Sequence, residues 1–342
     1  MSRPARRAAG RRRPGRAALV AAPVLGLIAL TVAGCTKEPV TPATSPVVYA
    51  TIGSGIANPG STVAVVDAAT GALGRPVTGG TLPAALALVP GAKDLVVAVK
   101  AQNELVEVST ATGKVVHRVT VGLEPDAVAV TPDGSRALVA NFGDGTVTAV
   151  MLATFTTGAT AAVGRQPVAV AVAPDGTRAL VANFGDGTVT PVALPGLNAG
   201  APVAVGPEPS AVFISSDGAT ALVAGFQSST VTPIALPGLS AAPPVPIGAN
   251  PTGIAGAPGS PVAWVSGGDG ITPMAIAGRQ VGAPVAIGAP AEGLAVSSGG
   301  MIWVCSGNGA LVEVDPAKGK VVRTVALDGI PSAVVVTPAA GA

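Results

Sequence analysis

Charged and aromatic side chains are scarce in this chain of 342 residues. Aromatic residues make up 2% of the sequence and charged residues 11%, whereas hydrophobic residues make up 49%. A chain this apolar and weakly charged has enough apolar surface to fold, which excludes a disordered polymer. Because aromatics are so few, the core must be built mainly from Val, Ala, Leu and Ile.

Cysteine and histidine are almost absent. The chain has two cysteines, Cys35 and Cys305, and one histidine, His117. If Cys35 carries lipid, as proposed below, Cys305 has no disulfide partner within the chain, and we interpret it as a small buried strand residue. His117 lies in a predicted outer strand, so we expect a solvated residue without a catalytic or metal-binding role.

Sequence motifs of common enzyme chemistry are also missing. There is no Gly-x-Ser-x-Gly elbow, no His-Glu-x-x-His, no Cys-x-x-Cys, no Walker loop and no Asp-x-Asp-x-Asp-Gly calcium loop. We therefore predict a protein that is not an enzyme and that uses no metal or cofactor.

The N-terminus has the pattern of a secretory signal. Seven arginines lie within the first 16 residues, and an uncharged apolar run follows from Ala17 to Ala33. The run ends in Leu30-Thr31-Val32-Ala33-Gly34-Cys35, which resembles the lipobox of bacterial lipoproteins. The resemblance implies a signal peptide at residues 1–34 that is removed and a lipid on Cys35, anchoring the exported chain to the outer face of the bacterial cytoplasmic membrane. A membrane-spanning anchor is the alternative, and export by the general secretory or the twin-arginine route stays open.

Removing residues 1–34 reverses the sign of the net charge. The remaining chain has thirteen basic and eighteen acidic residues, a net charge of −5. This acidity weighs against a nucleic-acid partner, which needs clustered Lys and Arg. Residues 35–46, rich in Pro and Thr, are predicted to form an extended tether.

An internal repeat dominates the rest of the sequence. The thirteen residues 136–148 recur without change at 178–190, a separation of 42. A proline opens each copy, at Pro83, Pro125, Pro167, Pro209 and Pro251, and two degenerate copies follow near Pro290-Ala291 and at Pro331. The pattern indicates seven units within residues 47–342.

Each unit contains four strand-like runs separated by turn residues. In the best-defined copy they are residues 167–172, 178–183, 188–193 and 201–206. Four short strands in about 42 residues are typical of one β-propeller blade. We predict an all-β, seven-bladed propeller, with the run from Pro331 to Thr337 completing the N-terminal blade as its innermost strand. An open solenoid is the alternative.

The repeat resembles the YVTN-type β-propeller family. The resemblance rests on Pro174-Asp175-Gly176, on Leu180-Val181-Ala182-Asn183 and on Gly187-Thr188-Val189-Thr190, with Leu180 at the position of the family's Tyr. Tyr49, Trp264 and Trp303 are expected to restore an aromatic residue there. Family members occur in surface and periplasmic proteins of several functions, which implies a binding or scaffolding role without naming a ligand.

In a propeller, the linkers that enter each blade and the turns between its second and third strands lie on one face. We predict that a polar small molecule or a protein partner binds this face, on a monomeric propeller. The candidate residues from these segments are Glu124, Gln166, Glu208, Asn250, Asn141, Phe142, Asp144, Asn183, Phe184, Asp186, Phe226 and Asp269. One alternative is that these residues have a purely structural role in turns. Another is that the protein is a lactonase-like or lyase-like propeller enzyme.

Overall fold

A computed structural model describes residues 45–54, 61–91, 94–236, 238–268 and 270–338. Within these ranges the chain forms thirty β-strands and a single turn of 3₁₀ helix, Lys100–Gln102. The predicted signal peptide, Cys35, most of the predicted tether and Asp269 lie outside the described residues. None of the described segments is a helix long and apolar enough to cross a bilayer.

The strands form seven antiparallel sheets, numbered here as blades 1 to 7. Blade 1 consists of β1 (Val47–Ser54), β2 (Thr62–Asp67) and β3 (Val77–Thr78) together with the last strand of the chain. Blade 2 consists of β4 (Pro83–Leu88), β5 (Asp94–Val99), β6 (Glu104–Ser109) and β7 (Lys114–Thr120). Blade 3 consists of β8 (Pro125–Val130), β9 (Arg136–Asn141), β10 (Thr146–Met151) and β11 (Thr156–Ala162).

The remaining blades follow the same order from the innermost strand outward. Blade 4 consists of β12 (Pro167–Val172), β13 (Arg178–Asn183), β14 (Thr188–Ala193), β15 (Asn198–Ala199) and β16 (Val203–Ala204). Blade 5 consists of β17 (Pro209–Ile214), β18 (Thr220–Gly225), β19 (Thr230–Ala235), β20 (Ser240–Ala241) and β21 (Val245–Pro246). Blade 6 consists of β22 (Gly253–Ala255), β23 (Val262–Gly267), β24 (Gly270–Ala275) and β25 (Val285–Ala286). Blade 7 consists of β26 (Ala291–Val296), β27 (Ile302–Ser306), β28 (Ala310–Asp315) and β29 (Lys320–Ala326), and β30 (Ile330–Val336) returns to blade 1.

The predicted ring closure is confirmed. β30 pairs antiparallel with β1 as the innermost strand of blade 1. The Val47 amide donates to Thr337 Oγ1 at 2.7 Å, and the Thr337 amide donates to the Val47 carbonyl at 2.9 Å. The inner strands touch in sequence around the ring, and β30 contacts both β26 and β4. Closure therefore gives β1 an inner partner, so that blade 1 has four strands like its neighbours.

The predicted strands of blade 4 agree with β12, β13 and β14 in every residue, but the outer strand differs. Residues 201–206 were expected to form it, whereas the structure has two short pieces, β15 and β16, which both pair with β14. Pro202 has no amide to donate, and the Gly200 amide bonds to the Pro191 carbonyl at 2.8 Å. The strand is therefore interrupted.

The core lies between neighbouring blades and is mainly aliphatic, as the composition predicts. Leu138, Leu180, Leu222 and Trp303 are fully buried at the equivalent position of four blades. Trp264 has the same register, because it pairs with Pro273 as Leu222 pairs with Pro233. Full burial of each such side chain contributes roughly 1.5–3 kcal/mol to folding.

Cys305 is a fully buried strand residue, as predicted. Burial raises the pKa of its thiol, and the nearby Glu292 carboxylate raises it further. The thiol is therefore chemically inert under ordinary conditions.

Candidate functional site

The predicted binding face is built by hydrogen bonds between the linker that enters a blade and the turn after that blade's second strand. We call it the rim face. In blade 3 the Leu123 amide donates to Asp144 Oδ2 at 2.6 Å, and the Phe142 amide donates to the Glu124 carbonyl at 3.0 Å. The same two bonds recur in blade 4, from Arg165 to Asp186 and from Phe184 to Gln166. Linkers and turns therefore form one continuous surface, as the sequence predicts.

Two of the predicted residues, Asn141 and Asn183, are inside this surface. Both are fully buried. Asn183 accepts a hydrogen bond from the Gly164 amide at 3.1 Å and donates to Thr188 Oγ1 at 3.0 Å and Thr190 Oγ1 at 2.8 Å. Asn141 makes the equivalent bonds in blade 3. These amides hold the turn in place and leave no group free for a ligand.

Glycine is required opposite each of these asparagines. A Cβ on Gly122 would lie 2.5 Å from Asn141 Cγ, and one on Gly164 would lie 2.6 Å from Asn183 Cγ. Any side chain at these two positions would displace the amide that organises the turn.

Four of the predicted residues share an unusual backbone conformation. Glu124, Gln166, Glu208 and Asn250 have φ values of 49°, 53°, 51° and 48°, and each precedes the proline that opens a blade. Left-handed backbone costs a residue other than glycine roughly 1–2 kcal/mol. Glu124, Gln166 and Asn250 are exposed, and Glu208 is half-buried.

The rim face over blades 3 to 5 contains three adjoining clefts. The first, about 310 Å³, is lined by threonine hydroxyls and Asp144. The second, about 540 Å³, is lined by Phe142, Asp144, Gln166 and Asp186 among others. The third, about 550 Å³, is lined by Phe184, Asp186, Glu208 and Gln227 among others. Adjacent clefts share a wall, at Asp144 and then at Gln166 and Asp186, so the three form one groove.

Six of the predicted residues line the clefts: Phe142, Asp144, Gln166, Phe184, Asp186 and Glu208. Glu124, Asn250 and Phe226 lie on the rim face but line none of these three clefts. Asp269 is outside the described residues. Among the residues that are described, no three His, Cys, Asp or Glu side chains converge as metal ligands.

The two larger clefts differ in charge although their sequences repeat. Arg165 Nε lies 2.5 Å from Asp186 Oδ1 in the second cleft. Hydrogen bonds from the Arg165 amide, and then from its side chain, lower the pKa of Asp186. Pro207 and Glu208 occupy the corresponding positions of the third cleft, which therefore has two carboxylates, as the second cleft has, but no arginine.

Lys100 illustrates how this face binds an ammonium group. Its Nζ lies 4.6 Å from the centroid of the Phe142 ring and 2.7 Å from Asp126 Oδ1. A ring face and a carboxylate together bind an ammonium group through cation–π and ionic attraction. Phe184 and Phe226 occupy the equivalent turns of blades 4 and 5.

Sequence reasoning missed a second set of residues, at the rim end of the inner strands. In blade 3, Pro125 pairs with Asn141 and Ala127 with Ala140, so Asp126 is the extra residue of a β-bulge. The same register shift occurs in blades 2, 4, 5 and 7. The signal available in the sequence was the residue after each anchor position: Ala84, Asp126, Val168, Ser210 and Glu292. Bulges redirect side chains, here near the rim end of the inner strands.

His117 lies in an outer strand, as predicted, but it is not simply solvated. Its Nδ1 lies 2.6 Å from Glu107 Oε2, and its ring stacks on Phe155 with centroids 5.5 Å apart. The contacts join the outer edges of blades 2 and 3 and place the imidazole away from the rim groove.

The fold and the grooved face define the class of protein as a seven-bladed β-propeller. No protein-family model matches the chain. No curated protein sequence matches it at a significant level. The YVTN resemblance thus rests on the motif residues quoted above.

Solved structures share the fold at low sequence identity. A protein of unknown function from Desulfotomaculum acetoxidans is similar with a TM-score of 0.75 and 14% identity, over 86% of this chain and 99% of that one. A protein named as a "putative 6-phosphogluconolactonase" from Bacteroides uniformis gives a TM-score of 0.70 and 16% identity, over 85% and 99% of the two chains. The hydrazine synthase of Kuenenia stuttgartiensis gives 0.68 and 17%, over 75% and 92%. Identities this low indicate shared architecture only.

Proposed function

We propose that this protein is an exported, lipid-anchored propeller that binds a ligand or partner protein in the groove of the rim face. The observation that carries the proposal is the groove itself, three adjoining clefts over blades 3 to 5. Each of the two larger clefts has a volume typical of a small-molecule site. Together they suit a ligand longer than one such molecule.

The chemistry of the groove favours a cationic or amide-bearing ligand. Asp144 and Glu208 have no cationic partner among the described residues, whereas Asp186 is paired with Arg165. The phenylalanine rings of blades 3 and 4 add apolar faces of the kind that Lys100 already occupies. A phosphate-rich ligand such as nucleic acid would be repelled by these carboxylates.

The groove can be tested by affinity capture. The full-length protein, solubilised from membranes, is compared with a variant carrying Asp144→Asn and Glu208→Gln, which removes two charges while retaining polar side chains of similar size. We expect the variant to recover at least about tenfold less of the bound partner, because two complementary charges are lost.

A matched control removes two charges from the same face outside the groove, by Glu292→Gln and Asp328→Asn. This control is expected to capture as much partner as the native protein. Equal capture by all three proteins would contradict binding in the groove.

The lipid anchor makes a separate prediction. Cys35→Ala should either leave an unprocessed precursor or release the processed chain, because the proposed lipid attaches to that thiol. Fractionation with mass spectrometry of the N-terminus measures both outcomes. A processed Cys35→Ala chain that stays on the membrane would contradict the anchor.

Lactone hydrolysis is the second candidate, favoured by the likeness to the Bacteroides uniformis protein. Assay of the purified protein with sugar lactones tests it. If the groove variant still hydrolysed lactones and the control variant did not, the catalytic site would include Glu292 or Asp328 instead of the groove residues.

A further inference from the structure

The face opposite the rim carries an uneven charge distribution. This basal face is formed by the turns between first and second strands and by the turns between third and fourth strands. In blades 6, 7, 1 and 2 the latter turns, with the first residues of the outer strand, carry five exposed basic residues: Arg279, Lys318, Lys320, Arg75 and Lys114. The corresponding turns of blades 3, 4 and 5, within residues 152–155, 194–197 and 236–239, have no charged residue.

Most of these basic side chains are free to bind an external anion. Lys318 pairs with Asp315 at 2.6 Å. Within the described residues, Arg75, Lys114, Arg279 and Lys320 form no ion pair. Asp67 and Asp315 are the acidic residues of the same turns, so this sector has an excess of positive charge in a mature chain whose net charge is −5.

Exposed aliphatic side chains accompany the cations in the same four blades. Val116, 48% exposed, and Val322, 44% exposed, lie near the start of the outer strands β7 and β29. Leu73, 58% exposed, and Val281, 40% exposed, lie just before the outer strands β3 and β25. Cations interspersed with exposed aliphatics suit a surface that touches lipid headgroups and the outermost part of the acyl chains.

The N-terminal end of the propeller lies in the middle of this sector. The Ala68 amide, in the basal turn of blade 1, donates to the Pro46 carbonyl at 2.9 Å. The described part of the chain therefore begins at the basal face. Twelve residues, 35–46, reach at most about 40 Å, so a lipid on Cys35 would keep this face near the bilayer.

We infer that blades 6, 7, 1 and 2 dock their basal face on anionic phospholipid headgroups, which orients the rim groove away from the membrane. The inference rests on the proposed lipid anchor for proximity, but the attraction belongs to the propeller itself. The anchor holds the protein at the surface, and the cations select the face that meets it.

Two labelled variants of the full-length protein test the orientation. Ala317→Cys places a thiol in the basal turn of blade 7, and Gln227→Cys places one on the rim face. Both positions are exposed, and the buried Cys305 does not compete for the label. Energy transfer to a headgroup acceptor is measured in vesicles of phosphatidylglycerol and phosphatidylethanolamine and in vesicles of phosphatidylcholine.

We expect stronger transfer from position 317 than from position 227 in the anionic vesicles only. The difference should disappear in 1 M NaCl, where the screening length is about 3 Å. Arg75→Gln with Lys320→Gln should weaken docking about thirtyfold, whereas the matched pair Arg165→Gln with Arg178→Gln, both on blade 4, should leave it unchanged.

Equal transfer from both positions, or the same difference in phosphatidylcholine, would overturn the docking surface while leaving the anchor intact. If Cys35 is not lipidated, it takes up a second label. A basal preference in that unlipidated protein would support the docking surface and reject the anchor.

Discussion

Blades 4 and 6 solve the same packing problem in different ways. In blade 4 the space beneath the rim turn is filled by Asn183, which bonds to Gly164, Thr188 and Thr190. In blade 6 Gly267 occupies that position, and a cavity of about 100 Å³ remains, lined by Gly267, Ser266 and Thr272 among others. The turn of blade 4 is therefore held by a buried asparagine network, whereas blade 6 has no side chain at that position to form one.

The rim turns of these two blades also differ in length. In blade 4 four residues separate the paired Asn183 and Thr188, whereas in blade 6 Gly267 pairs directly with Gly270 across two residues. The shorter turn brings the linker backbone close to Gly267. The regular turn presents Phe184 and Asp186 to the groove, so the asparagine network supports the candidate site as well as the blade.

The largest expected effect is loss of the blade 4 network. Asn183→Ala leaves the Gly164 amide and two threonine hydroxyls without this partner in a buried site, and we expect a loss of about 3 kcal/mol in the free energy of unfolding. Urea denaturation measures it. Asn198→Ala, at an exposed position of the same blade, should change stability by less than about 0.5 kcal/mol. Similar small losses for both would mean that the network contributes little.

An asparagine cannot simply be installed in blade 6. A Cβ on Gly267 would lie 2.7 Å from the Ala249 carbonyl oxygen, so Gly267→Asn should destabilise the protein by about 2 kcal/mol through steric overlap. Gly238→Asn is the control, because its Cβ would meet no atom within 4 Å. A Gly267→Asn protein as stable as this control would show that the short turn relaxes without cost.

The smallest expected effect concerns stability at acid pH. Blades 3, 4 and 5 have an aspartate in the turn between their first and second strands, and these turns should lose stability as the pH falls. Hydrogen bonds from Thr131 and then Ser135 hold the pKa of Asp133 at about 2, below its ordinary 3.8. Similar bonds lower the pKa of Asp175 and Asp217 in the same turn of blades 4 and 5. Blade 6 has Ser260 in this turn instead, bonded to the Val262 amide at 3.1 Å.

A lowered pKa stabilises the fold above the unfolded value, and that contribution disappears as the pH falls through the folded value. We therefore expect the melting temperature to fall between about pH 4 and pH 2. Asp133→Asn should have a lower melting temperature than the native protein at pH 5, but its melting temperature should fall less between pH 4 and pH 2. Ser260→Ala should not alter the pH dependence of the melting temperature. If the melting temperatures of Asp133→Asn and of the native protein fell equally with pH, the stabilising role assigned to ionised Asp133 would be contradicted.

Local chemistry explains which parts of the fold were predictable. The turns Pro-Asp-Gly and Gly-Asp-Gly, with apolar runs of six residues between them, predicted the first three strands of blade 4 residue by residue. The outer strands were less predictable, because Gly200 and Pro202 interrupt the ladder in a way that depends on the partner strand. The candidate groove was predicted in part: Phe142, Asp144, Phe184 and Asp186 do line it.

Other site residues could not be classified from sequence. Asn141 and Asp144 are both polar residues of one turn, yet the first is fully buried and the second exposed. The difference arises because Gly122 of the preceding linker leaves room for the amide, and only the folded register brings the two together. Asp126 was overlooked because a bulge is a property of two paired strands.

The sequence by itself determined the number of blades, the position of the closing strand and the rim segments, because these follow from a 42-residue period and from turn residues that act locally. Tertiary structure alone decided which polar groups are buried and which cations gather on the basal face. Arg75 and Lys320 are far apart along the chain, and they share one sector only because β30 closes the ring beside β1.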